Sequence, residues 1–173
     1  MRTTKELSGL AIIDVRDGKK LGTVGESVIS PDDGRLLGFV IKRSALLNQE
    51  ESAVDIEDVR SIGSDAVTVE GEEVVHRVDA MPESFRQARS GDRTLIGRKV
   101  ITQGGSLVGK IADLVISEND RRATGMILGS GMFERGDALS ADRIASVGPD
   151  VVIVTEEHAE PEARSPFSRH GEG

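Results

Sequence analysis

The residues of this chain best suited to bind a metal or transfer a proton are its three histidines. His76 lies near the middle of the sequence, and His158 and His170 lie near its end. No histidine has a second ligand at the spacing typical of a zinc site, and the chain has no cysteine. We therefore expect solvated histidines and no metal site.

Carboxylates form four short groups that could offer oxygens to a hard cation. No group has the alternating acidic residues, glycine and late glutamate of a calcium-binding loop. Asp32 and Asp33 fit a turn, in which aspartate accepts hydrogen bonds from nearby backbone, and Asp55 fits a helix cap. A small-molecule- or metal-binding regulator stays open as an alternative. The groups are Asp32 and Asp33; Glu50 and Glu51; Asp55, Glu57 and Asp58; and Glu70, Glu72 and Glu73.

Candidate nucleophiles and phosphate-binding glycines lack the neighbours that their chemistry needs. Ser130 lies between Gly129 and Gly131 without the flanking pattern of a nucleophile elbow. Gly104 and Gly105 are not followed by the lysine, hydroxyl residue and helix of a phosphate-binding loop. We therefore expect neither catalysis nor a cofactor.

Composition argues against two classes of partner. The net charge of −8 repels nucleic-acid phosphates, and a chain without tryptophan or tyrosine, with four phenylalanines, has few side chains on which bases could stack. No apolar run approaches the roughly 20 residues of a membrane span. The sequence thus predicts an acidic cytoplasmic protein that binds no nucleic acid and does not insert into membranes.

The sequence contains the same pattern of glycines and aliphatic residues twice, while the other positions differ. This is typical of a duplicated folding unit, because backbone geometry and core are shared between the copies. Each copy is close to the smallest size at which one core folds alone, so we expect the copies to pack against each other. The repeated stretches are 7–13 and 95–101, 21–24 and 108–111, 28–38 and 115–125, and 61–69 and 146–154.

Short aliphatic runs bounded by turn residues predict strands at 10–15, 20–30, 35–43, 66–70 and 151–155. The turn at 31–34 predicts a hairpin. In the second copy Arg121 replaces the turn glycine, so we expect Asn119 or Asp120 to take any left-handed position. Residues 56–60 fit a single helical turn, 74–78 fit an extension of a strand, and 82–89 fit a short helix begun by a proline.

These motifs resemble the PRC-barrel domain. The resemblance rests on a Gly-x-x-Val/Ile entry, a Leu/Val-Gly-x-Val/Ile motif, the Pro-Asp-Asp-Gly-Arg turn, the Gly-Phe-Val-Ile strand and a distal Asp-Val-Arg-Ser-Ile-Gly segment. The family includes the cytoplasmic domain of the photosynthetic reaction-centre H subunit and the C-terminal domain of the ribosome-maturation factor RimM. The resemblance implies an all-β fold of two small PRC-type barrels in tandem with pseudo-two-fold packing, and a module that docks onto other proteins.

On this interpretation repeat 1 spans residues 4–71, a linker with a short helix spans 72–91, repeat 2 spans 92–157, and a disordered tail spans 158–173. Glycines are expected to hold the turns and bends, and apolar residues in two polar loops are candidates for contact with a partner. The glycines are Gly9, Gly22, Gly34, Gly38, Gly97, Gly109 and Gly125, and the loop residues are Leu46, Leu47, Met132 and Phe133.

The function predicted from these observations is that of a non-enzymatic protein-interaction or assembly module. Its partner is expected to be another protein, and a homodimer stays open. Besides the regulator considered above, a membrane-peripheral accessory protein resembling the reaction-centre subunit is the other alternative.

Overall fold

The computed structural model describes residues 1–43, 50–91, 93–130 and 133–156, with the backbone alone at 130 and 133–137. Two short helices and fourteen strands are present in these residues. The helices are α1 (Thr4–Leu7) and α2 (Glu83–Ala88). The strands are β1 (Arg2–Thr3), β2 (Ala11–Asp14), β3 (Lys19–Ile29), β4 (Leu36–Lys42), β5 (Ser52–Asp55), β6 (Val59–Ile62), β7 (Ala66–Val69), β8 (His76–Arg77), β9 (Lys99–Thr102), β10 (Leu107–Ser117), β11 (Arg122–Ser130), β12 (Phe133–Ser140), β13 (Ile144–Val147) and β14 (Val151–Val154).

The two repeats have the same strand topology, which confirms the tandem all-β fold. The first sheet has the order β6-β7-β2-β3-β4-β5-β8, and the second has β12-β11-β10-β9-β14-β13. Each contains one parallel pair, β2 with β7 and β9 with β14, and the remaining pairs along both paths are antiparallel. Irregularities in the register of β3 and β10 divide each long strand between two neighbours and bend the sheet.

The repeats are related by an approximate two-fold axis that passes between the 31–34 turn and the 118–121 turn. Arg35 and Arg122, which are equivalent positions, face each other in an antiparallel bridge. The Leu36 N–H donates to the Arg121 carbonyl at 2.9 Å, and the Ala123 N–H donates to the Gly34 carbonyl at 2.7 Å. Because these two bonds exchange equivalent residues, the arrangement has the reciprocity of an isologous dimer interface.

The N-terminal segment of repeat 1 belongs to the sheet of repeat 2. Strand β1 pairs with β10, where Arg2 lies opposite Ile116. The Arg2 guanidinium donates to Glu118 at 2.8 Å, and the Asp113 carboxylate accepts hydrogen bonds from the hydroxyl and N–H of Thr4. The first residues therefore fasten the two repeats together rather than stabilising their own copy alone.

One hydrophobic core runs through both repeats. It contains β-strand residues of each copy at equivalent positions, such as Phe39 and Met126, Ile41 and Leu128. Burial of these side chains removes from water the apolar surface that neither copy can cover alone. The fully or almost fully buried members are Leu7, Ile12, Val24, Leu36, Phe39, Val54, Val67, Val69, Val100, Ile111, Ile116, Met126, Val152 and Val154.

The local predictions hold with two corrections. The left-handed residue of the second turn is Arg121, with φ 53°, and neither Asn119 nor Asp120 takes this conformation. Its backbone repeats that of Gly34, φ 74°, because the Arg121 guanidinium is held by the carbonyls of Ile56 and Val59 in repeat 1. Residues 74–78 do not extend one strand: they form two 3-10 turns, Glu72–Val74 and Val78–Ala80, around the two-residue strand β8.

The seven glycines expected at turns and bends fall into two groups. Gly9, Gly22, Gly34, Gly38 and Gly97 have positive φ, a conformation that costs other residues energy. Gly109 and Gly125 do not share it, and lie where a Cβ would come 3.1 Å from the carbonyl of Gly129 or of Leu139. A Cβ at either position would therefore press the neighbouring strand outward by a few tenths of an ångström.

Candidate functional site

The outer face of repeat 1 is covered by the linker. Val28, Val40 and Ala53 point away from the shared core and form a second apolar cluster with Phe85 and Ala88 of α2. Phe85 is 1% exposed, and its ring lies 3.0 Å from where a Cβ on Gly38 would stand. The helix thus seals a face of the sheet that would otherwise meet solvent.

Polar contacts hold this cover in place. The Arg89 guanidinium bridges Glu26 at 3.0 Å and Glu51 at 2.8 Å, which joins the end of α2 to strand β3 and to the residue that precedes β5. The Val78 N–H donates to the Glu51 carbonyl at 2.9 Å, and β8 pairs with the edge strand β5. Arg89 is therefore a structural residue of the linker.

The equivalent face of repeat 2 has no such cover among the described residues. Val115, Ile127 and Ala138 occupy the positions of Val28, Val40 and Ala53, and they are partly or fully exposed instead of buried. Strand β12 pairs with β11 on one side, and no described strand pairs with its other edge, where β8 would correspond. We name these three side chains and the free edge of β12 the open face.

Three of the four apolar loop residues expected to contact a partner lie outside the described ranges. Leu46, Leu47 and Met132 lie outside the described residues. Phe133 is the first residue of β12 and pairs with Ser130, and only its backbone is described. Their role as contact residues stays a prediction.

Asp55 and Asp33 accept backbone hydrogen bonds in turns as predicted, whereas the Asp32 carboxylate accepts from the Arg93 guanidinium instead. Asp55 accepts a hydrogen bond from the Glu57 N–H at 2.9 Å at the start of the Ile56–Asp58 turn, and Asp33 accepts one from the Arg35 N–H at 3.1 Å. Within the described ranges, no three histidine, aspartate or glutamate side chains converge as metal ligands would.

Sequence reasoning overlooked one buried carboxylate. Asp14 is 5% exposed and accepts hydrogen bonds from the N–H groups of Arg16 at 2.9 Å and Gly71 at 3.0 Å. It joins the hairpin after β2 to the end of repeat 1. In the sequence Asp14 stands out as a charged residue inside an otherwise apolar run. Burial of such a residue costs free energy unless its carboxylate is hydrogen-bonded.

The strongest electrostatic effect lies at the junction of the repeats. Burial by itself would raise the pKa of Glu118, but hydrogen bonds from Arg2, from the backbone and from the amine of Met1 lower it to about 2. At the surface, its own backbone N–H and the Arg16 guanidinium lower the pKa of Glu73. Both shifts favour the ionised carboxylate, so they indicate structural ion pairs, unlike a proton donor, which needs a raised pKa.

No helix in the described part of the chain is long and apolar enough to cross a membrane. None of the curated proteins compared with the sequence matches it. The sequence model of the PRC-barrel domain matches two segments, residues 1–75 and 89–160, which together make up most of the chain. The first segment contains strands β2 to β7 of one sheet, and the second contains strands β9 to β14 of the other. The chain therefore belongs to the PRC-barrel domain family and contains that domain twice.

Proposed function

We propose that this protein is a non-catalytic interaction module whose second repeat binds a segment of another protein on the open face. The observation that carries the proposal is the difference between the repeats. The same three positions are buried beneath α2 in repeat 1, whereas in repeat 2 Val115 and Ile127 are partly exposed and Ala138 is exposed.

The first repeat provides a model for how such a segment would bind. There, a two-residue strand pairs with the sheet edge at Ser52 and Ala53, and a short helix then places one aromatic ring on the apolar face. A partner that added a strand to the free edge of β12 and placed an aromatic side chain against Ile127 would bury the corresponding groups. Strand addition to an open sheet edge is a common mode of peptide recognition.

The test is site-specific photo-crosslinking of the full chain in extracts of its native cells. A photoreactive phenylalanine analogue at Ile127 should give a recurrent crosslink to one partner polypeptide. The same analogue at Ala112, an exposed residue of the neighbouring strand β10, is the matched control and should not. In a second variant, Ile127→Asp should abolish co-purification of that partner while leaving the fold intact.

Two results would contradict the proposal. One is a crosslink from position 127 that joins only to residues 157–173 of the same chain, because the open face would then be covered internally. The other is a partner that co-purifies equally with the wild-type chain and with Ile127→Asp.

A further inference from the structure

The two-fold symmetry of the repeats is broken where Gly34 of repeat 1 corresponds to Arg121 of repeat 2. Arg121 projects from the 118–121 turn of repeat 2 into repeat 1. Its guanidinium donates to the carbonyls of Ile56 and Val59, both at 2.8 Å, and of Arg60 at 3.2 Å. These carbonyls belong to the 56–58 turn and to the start of β6. Repeat 1 therefore contains a guanidinium site made of backbone oxygens.

Repeat 2 contains a turn and strand equivalent to those that form this guanidinium site in repeat 1. The 141–143 turn is capped by the Ser140 hydroxyl as the 56–58 turn is capped by Asp55, and it leads into β13 as the other leads into β6. When the two turns are aligned, Ala141, Ile144 and Ala145 are equivalent to Ile56, Val59 and Arg60, whose carbonyls accept from Arg121. The residue equivalent to Arg121 across the axis is Gly34, which has no side chain to offer.

A cavity of about 940 Å³ lies at this place. Its walls include Gly34, Ala141 and Asp142, together with apolar side chains of the core such as Ile111 and Met126. Four carboxylates line it, and Arg122 is the one cationic side chain among the described lining residues. Asp32 is neutralised by an ion pair with Arg93 at 2.9 Å. The other carboxylates are Asp33, Asp120 and Asp142.

We propose that this cavity binds a guanidinium group on an apolar stem, held by carbonyls of the 141–143 turn as Arg121 is held in repeat 1. Backbone carbonyls accept from a planar donor at several points, which an ammonium ion cannot match with the same geometry. The carboxylates supply attraction for a cation, and the core side chains supply contact for its stem. The ligand class is thus a guanidinium compound or an exposed arginine of a polypeptide.

The probe is butylguanidine, with butylamine as the control of equal charge and similar stem, and binding to the full chain is measured by calorimetry. We expect one site with a Kd of about 1 mM or tighter, and binding of butylamine at least about tenfold weaker. Agmatine and a capped Gly-Arg-Gly peptide then distinguish a small guanidinium compound from an arginine of a polypeptide. The one that resembles the natural ligand should bind more tightly than butylguanidine. Absence of butylguanidine binding to the wild-type chain would overturn the proposal.

Because the two repeats are equivalent, substitutions at Gly34 and Arg121 should lower or raise the number of guanidinium-binding sites. Gly34→Arg should remove the site, because its backbone already has the positive φ of Arg121 and a Cβ there meets only atoms of Ala123, 3.7 Å away. Arg121→Gly should open the equivalent site in repeat 1 and raise the stoichiometry to two. The matched control is Gly18→Arg, at φ 72° in an exposed turn, which should keep one site.

The melting temperatures of the variants show whether a loss of binding is caused only by unfolding of the protein. Gly34→Arg should melt above Gly18→Arg, because its side chain gains the carbonyl contacts while both bear the same backbone strain. If Gly34→Arg does not fold, Asp142→Asn keeps the proposal testable and should weaken butylguanidine binding severalfold. Binding that is unchanged in a folded Gly34→Arg, or in Asp142→Asn, would overturn the proposal.

Discussion

Removing the Arg121 side chain tests how the two repeats are held together. Arg121→Ala deletes all three hydrogen bonds to repeat 1 while leaving a side chain at positive φ. A hydrogen bond involving a charged group contributes about 1.5–3 kcal/mol. Two of the bonds are half-buried and share one guanidinium, so we expect a loss of about 3 kcal/mol in the free energy of unfolding.

Arg121→Gly separates backbone strain from the lost contacts. A left-handed conformation costs a residue with a Cβ about 1–2 kcal/mol, and glycine avoids this cost. Arg121→Gly should therefore be more stable than Arg121→Ala by about 1 kcal/mol. Arg122→Ala is the matched control. That neighbouring side chain makes an exposed contact with the Asp33 carbonyl at 2.9 Å, and its removal should cost less than about 0.5 kcal/mol.

The assay is urea unfolding followed by circular dichroism, because the chain has no tryptophan or tyrosine for fluorescence. With a slope of about 2 kcal/mol per molar urea, a 3 kcal/mol loss lowers the midpoint by about 1.5 M. Equal midpoints for Arg121→Ala and Arg122→Ala would refute the role given to the guanidinium. A glycine variant less stable than the alanine variant would refute the assignment of strain.

Three further predictions concern the linker, the junction and the repeats. Phe85→Ala should cost about 3–4 kcal/mol in chemical denaturation, because it opens a cavity beneath α2; a loss below 1 kcal/mol would contradict the sealing role of the ring. The folded pKa of Glu118, about 2, lies below its ordinary value of 4.5, so its stabilisation is present above pH 4.5 and is lost as pH falls towards 2; Glu118→Gln should flatten this part of the stability–pH curve, and an unchanged curve would exclude the Arg2 pair as its source. Fragments 1–91 and 92–173 should each melt well below the intact chain, and fragments that melt as high as the whole would argue against a shared core.

The repeated glycines and aliphatics were enough to predict the fold, because each recurring motif constrains backbone shape or core contact. The hairpins, the 56–58 turn, α2 and the capping role of Asp55 follow from local chemistry and were predictable. The left-handed conformation of Arg121 was not, since local preference favours asparagine or aspartate there. Contacts with carbonyls far along the chain overrode that preference.

The candidate sites were less predictable than the fold. The pairing of β1 with the sheet of the other repeat depends on contacts distant in sequence, and no local pattern in residues 2–3 specifies it. The open face is visible only when Ile127 is compared in three dimensions with Val40, which α2 buries. The difference between Gly34 and Arg121 was visible in the sequence as a lost turn glycine, but its consequence for the cavity required the symmetry axis.

The shared core can be tested most directly with one tryptophan in each repeat. Ile62 and Val147 are equivalent, partly buried residues packed against the core, so Ile62→Trp and Val147→Trp place matched fluorescent probes in the two copies. If both repeats unfold as one unit, the two variants should show a single urea transition each, with coincident midpoints and with slopes expected for the whole chain. Two transitions with separate midpoints, each with the slope of half the chain, would show independent barrels and contradict the account.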